Sequence, residues 1–414
     1  MPQTTRVPYY RYTDAIPFAL CHLVCIAAVW TGVHPADLAL CAALYVIRMF
    51  AITAGYHRYF SHRTFKTGRV FQFLLALLAQ TSAQRGALWW AAHHRAHHRH
   101  SDTDEDVHSP VVSGFFYSHV GWIFAERNHV TDLSAVRDLA KFPELRWLDR
   151  IPYVPAIALG VVVWLACGWS GLIVGFFWST VILWHATFSI NSLAHVIGRR
   201  RYVTADQSRN NWWLAILTLG EGWHNNHHHY QSAARQGFRW YEIDISYYVL
   251  KMLAAVRLVR ALRLPPVEVV QAESRLGRAV VDKAAAQLAA AFEVSPVVAQ
   301  FRAALAVRRA QLGSRRDTLN QEFDALHHDI VAFVEDWQHR LESNVEAARQ
   351  ELAAFLADVH HLPAMPTPAD LAARASAMFA RTPSMNEIVE RARQKLIDNV
   401  CDALVVRSPA PALG

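Results

Sequence analysis

Apolar and polar residues are unevenly distributed along this chain: four long apolar runs lie before about residue 195, with polar, histidine-rich segments between and after them. The first two runs, Ile16 through Val33 and Ala36 through Tyr56, are parted only by His34-Pro35. Each is close to the roughly 20 residues a helix needs to cross a bilayer, so the pair reads as a transmembrane hairpin. The second pair, Tyr153 through Trp169 and Gly171 through Asn191, is joined by a minimal Gly/Ser turn and reads as another hairpin. Phe71 to Ser82 is too short to span and is expected to form an interfacial or buried helix.

Beyond Leu264-Pro265-Pro266 the pattern becomes Ala-rich and charged. The apolar series Phe323, Leu326, Ile330, Phe333, Trp337, Leu341, Val345, Ala348, Leu352, Phe355, Val359 steps by threes and fours, with one interruption at 337–345. That spacing predicts a coiled coil or helical hairpin. The expected fold class is therefore all-α and integral to a membrane. Four transmembrane helices in two hairpins carry a cytoplasmic helical cap in residues 1–264, and residues 265–414 form a helical, partly coiled-coil extension that could join copies of the chain.

Composition supports a membrane setting: 53% of the 414 residues are hydrophobic and the mean hydropathy is +0.10. The net charge of +7 raises the question of nucleic acid, but basic loops against anionic lipid account for it, and no nucleic-acid partner is expected. Lysine and arginine are absent from 31–37 and 167–171 but frequent in 57–69, 85–150 and 199–209. Positive loops stay in the cytoplasm, so both termini and every histidine cluster are expected on that side, in a bacterial cytoplasmic membrane. The N-terminus leads into the first run without the small-residue site of a cleaved signal peptide. Cys21, Cys25, Cys41, Cys167 and Cys401 contain no C-x-x-C pair, which argues against a disulfide framework or a thiolate metal site. Arg48 lies inside the second run, where a charge must be paired or reach the interface.

Histidine is where the chemistry lies. Four short segments hold most of the candidates: His57 with His62 (H-x4-H); His94, His97 and His98 (H-x2-H-H); Asn191 with His195; and His224, His227 and His228, again H-x2-H-H. Residues i, i+3 and i+4 share a helix face, so His94 with His97 or His98 can grip a metal from one helix, and the fourth segment repeats the arrangement. His57 and His62, five apart, need the helix to end or distort there. Nine imidazoles exceed what one ion takes, so two metals with four or five nitrogens each are expected, with Asn191 holding a water on one of them. His93, His100 and His229 are left as outer partners or solvated residues. His22, His34, His119, His129 and His185 read as structural.

The strings ITAGYHRYFSHRTFKT, HRAHHRHSDTDEDVHSP, GFFYSHVGWIF, NSLAHVIG and GEGWHNNHH resemble, in order and spacing, the integral-membrane fatty acid desaturases, in particular the stearoyl-CoA-type Δ9 acyl desaturases, over about residues 12–262. The resemblance implies a di-iron enzyme that uses O2 and two external electrons to introduce a cis double bond, the Δ9 bond, into a saturated acyl chain. It implies that His57, His62, His94, His97, His98, His195, His224, His227 and His228 bind the irons and that Asn191 acts through water. It further implies that Gln84, Trp90, Thr187 and Phe188 line the kink of a substrate tunnel, and that Tyr45 and Met49 close its end.

Two departures qualify the likeness. Ala92-His93 stands where animal acyl-CoA enzymes carry an Arg-Asp pair for the CoA head, so acyl-CoA, acyl-phospholipid and acyl carrier protein all stay open as carriers. Phe188 stands where those enzymes commonly have Trp. The chain shows no H-P-G-G heme signature or ferredoxin-type cysteine set, so a separate donor such as ferredoxin, rubredoxin or a cytochrome b5-like protein is expected. The competing functions are a membrane di-iron alkyl or lipid hydroxylase, which uses a similar histidine set, and a metal transporter or sensor, which would need ligands at mid-membrane depth.

Overall fold

Helix α1 (Tyr12–Val24) carries Pro17 and passes through a tighter turn at Cys25–Ala27 into Ala28–Thr31. Gly32, at φ 78°, then reverses the chain, a conformation other residues adopt only with strain. The chain enters α2 (Pro35–Phe50) with proline in its first turn, where the missing N–H costs nothing. This computed structural model describes residues 12–300, 303 and 366–405, and the chain divides into two units, Met1–Ser274 and Arg275–Gly414.

Within the first unit α2 does not stop at Phe50 but winds on as a π-helix, Ala51–Ser61. After it come α3 (Arg69–Gln80), α4 (Ala87–His100), α5 (Pro143–Arg150) and α6 (Val154–Ser170). Gly168 leaves helical geometry at φ 69°, and the following π-helical segment Gly171–Trp178 folds against α6, with Ala156, Val163 and Phe176 in one apolar cluster. The chain then runs through α7 (Ser179–Ser192), α8 (Trp212–Leu217), α9 (His224–His229) and α10 (Ile245–Ala255). Two short strands, β1 (Lys66–Thr67) and β2 (Val259–Arg260), pair antiparallel.

Among the described residues, two helical runs are long and apolar enough to cross a bilayer by length and composition, Pro35–Ser61 and Val154–His195. Four separate spanning helices were expected. The difference has a local cause: the first run is a short apolar helix, Ala15–Thr31, that ends at Gly32, and helical geometry resumes so soon after Gly168 that the third and fourth runs form one broken stretch.

Arg48 is buried in the first unit and, among the described residues, has no carboxylate partner. Its guanidinium donates to Leu44 O (3.1 Å), Thr81 O (3.3 Å), Thr180 Oγ1 (2.7 Å) and Ser179 Oγ (2.5 Å), and it lies over the Phe176 ring at 5.2 Å. The fork therefore ties α2 to α7. Gln80 does the same for α5, donating to Leu148 O and Ile151 O.

Residues 265–274, expected in the extension, belong with the first unit. Tyr202 Oη donates to Val270 O at 2.7 Å, and Val269 and Val270 pack beside Phe238. In the second unit α11 (Arg278–Ala290), α12 (Pro368–Met378) and α13 (Met385–Val405) bury Val281, Ala285 and Leu288 with Leu371, Ile388 and Leu396. The apolar series from Phe323 to Val359 lies outside the described residues.

Arg48→Lys keeps the charge but replaces a planar fork with a single ammonium that cannot reach Ser179 and Thr180 together. The variant should be less stable by about 1–3 kcal/mol, visible as a lower melting temperature in detergent. An unchanged melting temperature would show that the fork contributes nothing.

Candidate metal centre

Two groups of imidazoles are assembled at the C-terminal ends of the apolar runs. His57, His62, His94, His98 and His227 form one, and His97, His195, His224 and His228 the other, with the candidate ligand atoms in each group all within 4.8 Å of one another. The π-helical end of α2 explains the first pair. His62 N–H donates to His57 O at 3.2 Å, a five-residue step that turns both side chains to one side of the helix.

Each H-x2-H-H segment contributes to both groups, and of the two pairings its spacing allows in α4, His94 with His98 is the one within a group. In α4, His94 and His98 stand one turn apart and face the first group, while His97 faces the second. In α9 the order is reversed: His224 and His228 face the second group and His227 the first. A three-histidine helix face is wide enough to serve two neighbouring positions, and each helix bridges both.

Within the first group Nε2 atoms approach closely: His62 to His94 at 2.9 Å, His94 to His98 at 3.0 Å, His98 to His227 at 2.9 Å and His227 to His57 at 3.0 Å. In the second, His195 and His224 Nε2 are 3.1 Å apart. Neutral rings cannot satisfy a chain of four such contacts, because each Nε2 offers either one hydrogen or one lone pair. A metal with M–N bonds of about 2.1 Å separates adjacent nitrogens by roughly 3 Å, so the spacing fits a cation among them.

Four of the opposite ring nitrogens have carboxylate acceptors, whereas His98 Nδ1 and His224 Nδ1 are buried with no partner among the described residues. Asp106 takes His97 Nδ1 at 2.9 Å, Asp102 takes His195 Nδ1 at 3.0 Å, Asp206 takes His228 Nδ1 at 2.7 Å, and Glu221 takes His57 Nδ1. Each bond fixes the tautomer that leaves Nε2 free as a ligand. Among the described residues His228 Nε2 is buried with no hydrogen-bond partner, which also fits a ligand awaiting its ion. The carboxylates were missed from sequence, although Asp102 and Asp106 follow the histidines of α4 directly, in SDTDED.

Glu221 is further held by Arg58, whose Nε and NH2 donate to Oε1 at 3.1 and 3.0 Å while NH1 reaches Asp244. The first group thus has one acid, matched by a cation, and the second has three. Burial drives the imidazoles of His62, His94, His98, His224 and His227 well below the ordinary histidine range, and their mutual proximity pushes the same way. Burial also lowers His228, although Asp206 opposes it. Neutral imidazole is the form that binds metal. Burial would raise Asp102, but His195 beside it and hydrogen bonds from Ser109 and the Gln207 N–H bring its carboxyl down to about 2.

A cavity of about 680 Å³ runs up to these groups. Gln84, Trp90, Thr187 and Phe188 line it together with His94 and Asn191, and Gln84 Nε2 donates to Thr187 Oγ1 at 2.9 Å. Tyr45 and Met49 do not line it: Met49 is packed into the core, and Tyr45 Oη donates to Leu217 O at 2.6 Å. The wall away from the histidines is instead built from Gly160, Leu172, Phe176 and Phe177, because the Gly168 break folds that segment over the cavity. His93 also lines it, with Nδ1 to Trp89 O at 2.9 Å, and His100 pairs with Glu105 near the surface.

A family model described as fatty acid desaturase matches residues 29–258. The chain is similar to an sn-1 stearoyl-lipid 9-desaturase of Anabaena variabilis, 38% identical over 51% of this chain and 78% of the relative. It is similar to an sn-2 palmitoyl-lipid 9-desaturase of Nostoc sp. (strain 36), 33% identical over 63% of this chain and 92% of the relative. An acyl-CoA 5-desaturase of Anemone leveillei is also 33% identical, over 59% and 77%.

Asp206→Asn should weaken metal retention by roughly 10–100-fold, measured as metal per chain after dialysis against a chelator; full retention would remove the carboxylate from this role. The depressed histidines make a second prediction for metal-free protein. Their folded pKa lies below the unfolded value of about 6.5, so the unfolded state binds more protons as the pH falls, and stability present above about pH 6.5 is lost below it. Melting temperatures measured between about pH 8 and 5 should fall on the acid side; a flat profile contradicts the neutral assignment.

Proposed function

The chain belongs to the fatty acid desaturase family and is an acyl desaturase acting on acyl lipid, and on that premise we propose that it introduces a cis Δ9 double bond using two irons, O2 and two external electrons. The observation that carries this reading is the pair of convergent imidazole groups at the head of an apolar cavity. His57, His62, His94, His98 and His227 would hold one iron, and His97, His195, His224 and His228 the other, with Asn191 at the second through water. Imidazole also suits zinc and copper, so the choice of iron rests on the reaction. Bound iron supplies the oxygen-activating redox chemistry that an alkane C–H demands, since the bond is neither acidic nor electrophilic.

The protein's own side chains do the rest. Trp90, Thr187 and Phe188 shape the cavity beside the histidines, and its apolar lining keeps water from the acyl chain. The Gln84–Thr187 bond braces the two walls there. Membrane lipid is the proposed carrier, supported by the relatives named for stearoyl-lipid and palmitoyl-lipid and by Ala92-His93 at the position of the CoA-binding pair. A separate reductant fits a surface recess lined by Ser61, His62, Arg95, His98 and Arg99. Two histidines of the first group meet the outside there, and the arginines would favour an acidic carrier.

We further propose four spans in two hairpins, with α1 and its continuation the first and the Gly168 break separating the last two. The basic loops support a cytoplasmic side for the histidine groups and both termini. Residues 1–264, with 265–274 packed in the same unit, would be the catalytic domain, and the rest of 265–414 an extension through which copies associate. A membrane hydroxylase would use the same metal chemistry, and the product tells the two apart.

Expression in a host lacking its own Δ9 desaturase, with gas chromatography of total fatty acids, should show a new cis-monoene that His98→Ala abolishes. Hydroxylated acids in its place would overturn the desaturase assignment in favour of the hydroxylase.

A further inference from the structure

Three histidines outside both metal groups form a continuous row. His22, on α1, places Nδ1 against Phe18 O at 2.7 Å and Nε2 against His185 Nε2, on α7, at 3.0 Å. His185 Nδ1 meets His119 Nε2 at 3.0 Å, and His119 Nδ1 meets Ser192 Oγ at 2.9 Å. No carboxylate or metal group takes part in these contacts.

The row has one direction. A carbonyl only accepts, so His22 Nδ1 carries the hydrogen and its Nε2 is the acceptor when the ring is neutral. His185 must then donate from Nε2 and accept at Nδ1, and His119 must donate from Nε2. His119 Nδ1 is then an acceptor facing Ser192 Oγ, whose one hydrogen is shared between it and Phe188 O at 3.0 Å. Because the row ends on a backbone carbonyl it cannot hand a proton onward. Its effect is mechanical: it joins α1, α7 and the segment around His119.

What it holds in place is one wall of the cavity. Phe18 stacks on Trp184 with centroids 5.2 Å apart, meets Phe124 at 5.5 Å and lies near Phe188 at 6.5 Å, and all four rings line the cavity. His22 packs on Phe18 at 4.4 Å, and His119 approaches Phe188 edge-on at 5.9 Å. Phe188 precedes Asn191 by one helical turn.

We propose that His22, His185 and His119 are positioning residues that fix this aromatic wall and thereby decide which carbons of the acyl chain lie beside the histidine groups. The proposal rests on the desaturase reading. Regioselectivity is a competition between registers of one chain in one cavity, so a wall that shifts redistributes products without removing activity.

The test is the double-bond position, read by mass spectrometry of derivatised monoenes, with iron content and melting temperature measured on the same full-length preparations. His22→Leu and His185→Leu should each raise the share of products outside the main position by roughly tenfold, the change in population that about 1.4 kcal/mol between two bound registers produces. Iron per chain should stay at the wild-type value, and His185→Gln, which can both donate and accept, should restore the main product. His22 lies on a helix that contributes no metal ligand, so its variant remains informative if His185→Leu folds poorly. A single unchanged product from His22→Leu overturns the proposal, as does loss of iron together with activity in that variant. Wild-type protein that makes no monoene from any lipid would instead sink the desaturase reading itself.

Discussion

The structure is organised around one electrostatic demand: nine imidazoles, six of them buried and three half-buried, pointing ring nitrogens at one another from about 3 Å. Unaided, such an arrangement is repulsive and poorly hydrogen-bonded, and burial removes the water that would relieve it. A cation in each group reverses the sign of that cost. The surrounding features serve the same demand: carboxylates that fix tautomers, Arg58 that offsets Glu221, and helices that stop or distort where a ligand must turn inward.

The carboxylates also bind the motifs to one another. Asp102 accepts from His195 Nδ1, from Ser109 Oγ and from the Gln207 N–H, so one side chain links the loop after α4, the end of the fourth apolar run and the loop before α8. Asn225 and Asn226 extend the linkage to the Arg201–Tyr202 backbone and to Glu242. Short histidine segments far apart in sequence are thereby assembled by a web of buried polar contacts rather than by a sheet or bundle core alone.

Much of the site was legible because helical spacing constrains it. The pairs His94/His98 and His224/His228 stand on single helix faces, as an i, i+4 rule requires, and the five-residue gap between His57 and His62 signalled a distortion that the π-helix supplies. The partition of each trio between two positions was not legible, since i+3 and i+4 neighbours look equivalent until a second helix arrives. Nor were the acids legible as partners, because a string such as SDTDED reads equally well as a solvated loop. The apolar runs near 35–61 and 154–192 were plain in sequence, whereas the tight turn at Cys25 depends on packing. Tyr45 and Met49 do not line the cavity, whose course depends on which helices leave room, and here the fold-back after Gly168 shapes the far wall.

The winding of the second apolar run bears on how this protein tolerates change. Between Ala51 and Ser61 the helix takes up more residues per turn than the α-helix before it, so this stretch acts as a phase adjuster between a lipid-facing rod and a ligand-bearing terminus. Removing one residue anywhere in it would let the rod relax to ordinary winding and swing everything downstream about its axis. Inserting lipid-facing residues ahead of it would alter the phase from the other side. The run is therefore constrained in length as well as at its buried residues, and a deletion there would be silent in hydropathy yet decisive in geometry.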